Sequence, residues 1–468
     1  MSKKFIFFIL ISFTLFACKK EQPTKFDILI LNAQIIDVEQ GEVTSNQLIG
    51  ISQDTIQLVD DMSNKEMYDG TEIIDAKNKF VMPGLWDMHV HFRGGEALIK
   101  ENKNLLPLFL AYGITTVRDA GGDITSSVLE WRKSIAEKKL DGPNIFTSGP
   151  KLDGSQPAWD GSIKVESAKD IEPALDSLQK LGVDYVKMYD GNLSKEMFYG
   201  IIEAAEKRGM KTTGHMPLSA DFLKAVSLGL DGSEHIYYIG KACSPLADSL
   251  TEVGLGYGMM VPIVQSFDMN LADSVYEIVK PNKVSITPTV HVVQTLANIL
   301  EVDHSNDSIL AFLGDGIEQT YQRRIEGAIR AKERGDNTYN LIYKLGLNMI
   351  TNMYKAGINL VAGSDCGAFN SFVYPGESLH SELFGLVEAG LTPQQALSTA
   401  VVNGPKFFEL ENYGAVKQGK IGDLILLDHN PLENIENISS INTVIHLGKI
   451  YNREKLNAML NELREEYN

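Results

Sequence analysis

The stretch Gly84-Leu85-Trp86-Asp87-Met88-His89-Val90-His91 decides how the rest of the chain is read. It is a short β-prone run that ends in two histidines. On a strand, residues i and i+2 point to the same side, so both imidazoles reach toward one point. Seven further apolar, β-branched runs follow, at Ile114 to Asp119, Asn144 to Ser148, Asp184 to Tyr189, Lys211 to His215, Gly232 to Ile236, Val284 to Thr289 and Asn359 to Asp365. Amphipathic helical patterns fill the intervals. Strands alternating with helices over residues 83–405 predict an α/β fold, a (β/α)8 TIM barrel with insertions. The connections 237–283 and 290–358 are long and contain helical patterns, which predicts a lid over the barrel mouth.

Outside that span the chain changes character. Residues 26–82 are short strand-like runs, and β character returns within 411–452, at Gly422 to Asp428 and Thr443 to Leu447. Strands before and after the barrel predict a small composite β-sandwich domain built from both chain ends. Residues 453–468 read as a closing helix.

A barrel presents its chemistry at the C-terminal ends of its strands, so the polar residues that end each run are the candidates. The first run ends in His89 and His91, the fourth near Lys187, the fifth at His215, the sixth at Glu234-His235 and the eighth at Asp365. One histidine alone is more often a satisfied core or surface residue than a ligand. Four at rim positions together with Asp365 form a convergent set, because imidazole and carboxylate suit zinc and related divalent ions. Lys187 is out of place there, since an ammonium beside a dication is repelled. His380, shortly after the eighth run, reads equally as a substrate contact, a brace for a ligand or a residue at a helix start. Tyr237 and Tyr238 follow His235 and are candidate substrate contacts, with packing the competing role.

Composition removes several classes. The 468 residues carry 43 Lys+Arg against 61 Asp+Glu, a net charge of −18 that opposes binding to nucleic acid and points to a small-molecule substrate. Cysteines occur only at 18, 243 and 366, in none of the CxxC spacings of zinc or redox motifs. Spacing alone does not pair Cys243 with Cys366.

At this point the sequence resembles the amidohydrolase superfamily. Pro83 to His91 is similar to its opening motif, Gly113-Ile114-Thr115-Thr116-Val117-Arg118-Asp119-Ala120-Gly121-Gly122 to its second-strand signature, and the order HxH, Lys, His, His, Asp to its ligand order. The likeness runs on through Ala389-Gly390-Leu391-Thr392-Pro393 and Gly419-Lys420-Ile421-Gly422-Asp423-Leu424. Val186-Lys187-Met188-Tyr189 and Gly214-His215-Met216-Pro217 resemble strand ends of secreted members near the Xaa-Pro dipeptidases and imidazolonepropionase-like enzymes. The resemblance implies two divalent metal ions, zinc by preference, about 3.5–4 Å apart. His89, His91 and Asp365 would hold one, His215 and His235 the other. Lys187, carboxylated by CO2 to a carbamate, would bridge them.

It further implies hydrolysis of an amide-type C–N bond, in a dipeptide or N-acyl amino acid, by a metal-bridging hydroxide, with Asp365 as catalytic acid and base. A cyclic amidase and a one-metal deaminase are the enzymatic alternatives. A binding lipoprotein without turnover is the alternative of another class. Against the deaminase, His215-Met216-Pro217-Leu218 lacks the acid of a HxxE motif.

Residues 1–17 read as a signal peptide: Lys3 and Lys4, then the uncharged Phe5 to Ala17, too short to span a bilayer. Leu15-Phe16-Ala17-Cys18 resembles a bacterial lipobox, which makes Cys18 the lipidated first residue of the mature chain. Lys19 is not an acidic retention signal, which places the anchored protein in the cell envelope at the outer membrane. Replacing Cys18 by Ala is expected to move the protein out of the membrane fraction, which cell fractionation checks.

Overall fold

The computed structural model describes residues 22–467; the signal peptide and Cys18 lie outside the described residues. Strands from both chain ends share one eight-stranded sheet. Thr24–Asp37 pairs antiparallel with Glu42–Ser52 and parallel with both Tyr68–Asp75 and Phe80–Pro83. The join between chain ends is antiparallel: Leu424 to Leu427 run beside Pro83 to Phe80, with Ile441–His446 on the other side. Pairing therefore joins strands of both chain ends in one hydrogen-bonded sheet. The strands start at Leu424, and the preceding residues from 411 are turns and bends apart from one bridge between Ile421 and Thr55.

The period of two in Leu424–Leu427 explains how that sheet is held. Leu424 and Leu426 face a cluster with Ile28, Ile30, Ile49 and Val81, while Ile425 and Leu427 join the large core of the parallel-strand region. The sheet is thus buried on both faces at this strand. The closing helix, Arg453–Tyr467, turns Leu456 and Leu463 into the large core.

Between these ends the architecture is mixed α/β. All eight predicted runs contain a strand: Leu85–His91, Ile114–Asp119, Asn144–Thr147, Val186–Met188, Thr212–Gly214, Gly232–Glu234, Ser285–Thr287 and Asn359–Leu360. Their ladders are parallel and fall into three groups, not one continuous ring. Backbone hydrogen bonds bridge the gaps, one from Asp184 N to Thr147 O, one from Asp231 N to Thr212 O, and two between the first and eighth runs, from Met88 N to Ala362 O and from Asp365 N to His89 O. The short pair Leu152–Asp153 and Ile163–Lys164 inserts beside the fourth strand. Ladders stop early because the residues at the strand ends leave the extended conformation. Gly214 has φ +142°, and a Cβ there would lie 2.1 Å from Met188 O.

Helices fill the intervals with ordinary end signals. Ala168–Leu181 starts with a capping box between Ser167 and Asp170, and Pro393–Val401 with one between Thr392 and Gln395. The two long connections are helical, with Ile236–Ala242 to Met269–Val279 in the first and Val290–Asn298, Asp315–Glu333 and Thr338–Ala356 in the second. Cys243 and Cys366 are both buried and free. Truncating Leu426 to Ala is expected to cost about 2–5 kcal/mol, as for a buried leucine whose site cannot fully collapse. Denaturant unfolding of that variant, with metal content unchanged, checks it.

Candidate active site

The first strand delivers His89 and His91 side by side. Their Nε2 atoms are 3.2 Å apart, and Asp365 Oδ1 lies 3.5 Å from the first and 3.1 Å from the second. These three residues form the one described group with metal-ligand geometry. His89 Nδ1 donates to Glu234 Oε2 at 2.7 Å, and His91 Nδ1 donates to Gly121 O at 3.3 Å.

A second pair comes from the fifth and sixth strands. His215 Nε2 and His235 Nε2 are 3.0 Å apart. His215 Nδ1 donates to Asp190 Oδ1 at 3.0 Å. His235 Nδ1 meets Thr289 Oγ1 at 2.7 Å; since that hydroxyl donates to Pro288 O, it accepts from the imidazole. The rings of His89 and His235 are 5.4 Å apart, which joins the pairs into one cluster.

Every Nδ1 therefore carries the proton and every Nε2 turns a lone pair inward. Such an arrangement suits cations, because outer acceptors fix the tautomer that a metal needs. Burial, reinforced by Arg93, drives His91 well below the usual histidine range, and burial with His215 does the same to His235, so both rings stay neutral. Burial pushes Asp365 upward, and any charge its imidazole neighbours acquire, His89 foremost, works against burial and holds the carboxyl well below its usual range.

Lys187 lies wholly buried beneath this cluster, 3.4 Å from Glu234 Oε1, and its Nζ makes no hydrogen bond. Burial lowers it to about 8 against the pull of Glu234. Asp184 and Asp190, the partners a surface lysine at this position would take, pair instead with Arg132 and His215. A buried amine with one long ion pair and no hydrogen bond, beneath four inward lone pairs, is the feature hardest to explain by packing.

The other sequence candidates divide. Tyr238 donates to Asp190 Oδ2 at 2.7 Å and so braces the holder of His215, while the Tyr237 ring stacks on His235. His380 is not brought to the cluster. It lies in the helix Glu377–Glu388, where Nε2 meets Tyr112 O at 2.9 Å and Nδ1 meets Ser439 Oγ at 3.2 Å, so it ties elements together away from the chemistry.

Sequence reasoning gave no role to Glu234, Arg118, Asp190, Thr289 or Asp87. Glu234 accepts from Arg118 Nη2 at 2.9 Å on both oxygens and from Thr213 Oγ1 at 2.9 Å. Burial pushes it up, but Arg118, Lys187 and His89 together hold it far below its usual range. Asp87 accepts from Ser364 N and Oγ at 2.9 and 2.6 Å, and burial raises it to about 7. The signal that was available is adjacency: Glu234 precedes a ligand, and Asp87 is two residues before one on the same face of its strand.

An inward ring of histidine nitrogens with an acid, set at the ends of parallel strands, defines a metal-binding hydrolase of α/β architecture. The sequence model of the Amidohydrolase family matches residues 80–451, and the chain belongs to that family. It is a hydrolase acting on carbon–nitrogen bonds in small molecules. Ochratoxinase of Aspergillus niger is 21% identical, covering 90% of this chain and 85% of its own. A 5-methylthioadenosine/S-adenosylhomocysteine deaminase of Caldicellulosiruptor saccharolyticus is 22% identical, covering 90% and 89%. Among solved structures, a Xaa-Pro dipeptidase with bound methionine superposes with TM-score 0.66 at 19% identity, over 91% of this chain and 99% of that one. These structural likenesses speak for the fold. Among the described residues no helix is long and apolar enough to cross a membrane.

Replacing Thr289 by Ala removes the acceptor that orients His235, whereas Ser keeps it. Metal affinity, measured by chelator competition, is expected to fall by about 10–100-fold in the Ala variant and to stay near wild type in the Ser variant.

Proposed function

We propose that this chain is a binuclear, metal-dependent amidohydrolase that cleaves an amide bond in a dipeptide or N-acyl amino acid. The observation that carries the reading is the two histidine pairs, His89 and His91 beside Asp365 and His215 with His235, clustered above a buried Lys187 whose Nζ makes no hydrogen bond. His89, His91 and Asp365 would hold one divalent ion and His215 and His235 the other, with zinc the preferred metal for this donor set. Lys187, whose amine burial makes easier to deprotonate, would carry a CO2-derived carbamate bridging both. Bound there, the ions would polarise the scissile carbonyl and acidify the attacking water.

The chain's own residues do the rest. Asp365, ionised and adjacent to both histidines of the first pair, takes the proton of the attacking water and hands it to the leaving amine nitrogen. Glu234, Asp190, the Gly121 carbonyl and Thr289 keep the four imidazoles in one tautomer throughout. The three groups of parallel strands, joined by one or two backbone hydrogen bonds at each gap, are arcs of the (β/α)8 barrel that would place these residues at one rim.

The dipeptidase activity in the name of the Xaa-Pro dipeptidase supports amide cleavage. A deaminase is the second reading, favoured by the 22% identical relative and opposed by Leu218 where the HxxE acid would stand. We further place the mature protein, lipidated at Cys18, on the outer membrane.

Metal-loaded protein is expected to hydrolyse members of a dipeptide and N-acyl amino acid panel, and chelator to abolish this. Asp365→Asn should lower kcat by about 100-fold or more. Metal uptake by apoprotein, followed by elemental analysis, should be weak in CO2-free buffer, restored by bicarbonate, and low in Lys187→Ala under both conditions. Metal uptake indifferent to bicarbonate would overturn the carbamate.

A further inference from the structure

A cavity of about 550 Å3 opens beside the cluster. Its inner wall contains Trp159, Tyr189 and Phe369, and its outer wall includes Leu300, Arg323 and Arg324. It abuts the chemistry through Tyr189, whose ring stacks on His215 at 4.4 Å.

Cations converge on this wall. The guanidinium of Arg93 lies 4.1 Å from the Trp159 ring centre, Lys151 Nζ 5.3 Å and the Arg323 guanidinium 5.5 Å. Arg324 donates to Asn370 Oδ1 at 3.3 Å, and Asn370 in turn donates to Asp365 Oδ1 at 2.8 Å. Arg93 and Lys151 are buried, Arg324 is half-buried and Arg323 is exposed, so the four run from the surface inward.

These four lack close counter-ions, unlike the cations further along the neighbouring helix. On the same helix and at its end, Arg330, Lys332 and Arg334 pair with Glu326, Glu301 and Asp336. Among the described residues, no carboxylate comes within ion-pair distance of Arg93, Lys151, Arg323 or Arg324. Asp365 and Asp123 pull on Arg93 only from farther off, and burial with Arg93 and Lys187 drives the Lys151 amine well below its usual range against the distant pull of Asp119 and Asp123, so an anion is what would hold its proton in place. Burying cations without partners is costly, and in a chain of net charge −18 acids to pair them are not scarce.

Both inner cations are also anchored with donors to spare. Arg93 spends Nε on Ala368 O at 2.8 Å, which leaves both terminal nitrogens for a ligand. Lys151 spends one N–H on Gly121 O at 2.9 Å, the same carbonyl that holds His91. A held guanidinium with a free fork matches the two oxygens of a carboxylate. The aromatic and aliphatic walls match an apolar side chain beside it.

We propose that Arg93, Lys151, Arg323 and Arg324 form a carboxylate subsite around Trp159, so that the amide cleaved at the cluster carries a free carboxylate next to an apolar group. This rests on the amidohydrolase reading above and adds the residues that select its substrate. Arg323 and Arg324 draw the anion in, and Arg93 and Lys151 hold it.

The test is calorimetric binding of N-acetyl-L-phenylalanine and of its primary amide to the metal-loaded protein, with inorganic phosphate as a third probe. The acid is expected to bind about 30-fold or more tightly than the amide, the worth of a charge-assisted contact. Arg93→Met and Lys151→Met should each erase most of that ratio while the amide binds as before. Should the buried variants fail to fold, the double variant Arg323→Gln/Arg324→Gln tests the same point, with a smaller loss confined to the acid. Equal binding of acid and amide, or binding of neither, overturns the subsite. Phosphate displacing the acid at equal affinity overturns the carboxylate class. Selective binding of the acid with no hydrolysis of any amide would leave the subsite standing and overturn the amidohydrolase reading instead.

Discussion

Glu234 accepts hydrogen bonds from His89, Thr213 and both contacts of Arg118 Nη2 while it lies against Lys187, all out of reach of solvent. A carboxylate in that position is tolerable only because a guanidinium neutralises it and its lone pairs are filled. Arg118 does more than neutralise. Its Nε donates to Met88 O at 2.6 Å and its Nη2 reaches Thr287 Oγ1 at 3.2 Å. Residues of the first, second, fourth, fifth, sixth and seventh strands thereby meet at one depth. The histidines stand on a polar plug whose removal would leave a charge unpaired and six strands without a common reference.

Above that plug the backbone is bent out of its preferred regions where the chemistry is. His235, Thr289 and Asp365 have φ of +59°, +51° and +60°, a conformation that costs a non-glycine residue about 1–3 kcal/mol. Neighbouring bonds hold it: His235 N donates to Thr287 O at 2.8 Å and Asp365 N to His89 O at 2.7 Å. An extended backbone at these positions would alternate the side chains outward. The left-handed turn lets the strand end and the side chain still face the cluster.

The strand runs and the residues ending them were legible because each is a local pattern. HxH on a strand, a lysine within one apolar run and an acid at the end of another all declare themselves within a few positions. The partners that orient them did not, because Glu234 and His89 are 145 residues apart and no spacing encodes that contact. His380, left open by the sequence between a substrate contact, a brace for a ligand and a helix-start residue, shows the converse limit. Proximity in sequence to a ligand strand suggested chemistry, but the helix Glu377–Glu388 turns that face toward Tyr112 and Ser439. The terminal strands were legible as strands that could complete one shared sheet, whereas their register depends on pairing between residues more than three hundred positions apart.

The loop after Asp365 joins the cluster to the cavity wall. Phe369 N donates to Thr320 Oγ1 at 2.7 Å and Ser371 Oγ to Tyr321 O at 2.7 Å, so the loop is fastened to the helix Asp315–Glu333 along one turn of it. Asn370 sits between those anchors and donates to Asp365 Oδ1 while it accepts from Arg324. The side chain that would move the proton and the helix that lines the cavity are consequently positioned by the same short segment. A rotation of the helix large enough to break the Thr320 bond would also shift Asn370 and withdraw a donor from Asp365. Geometry at the acid and the width of the cavity are therefore not independent variables in this protein, and the long connection after the seventh strand belongs to the active site as much as to its cover.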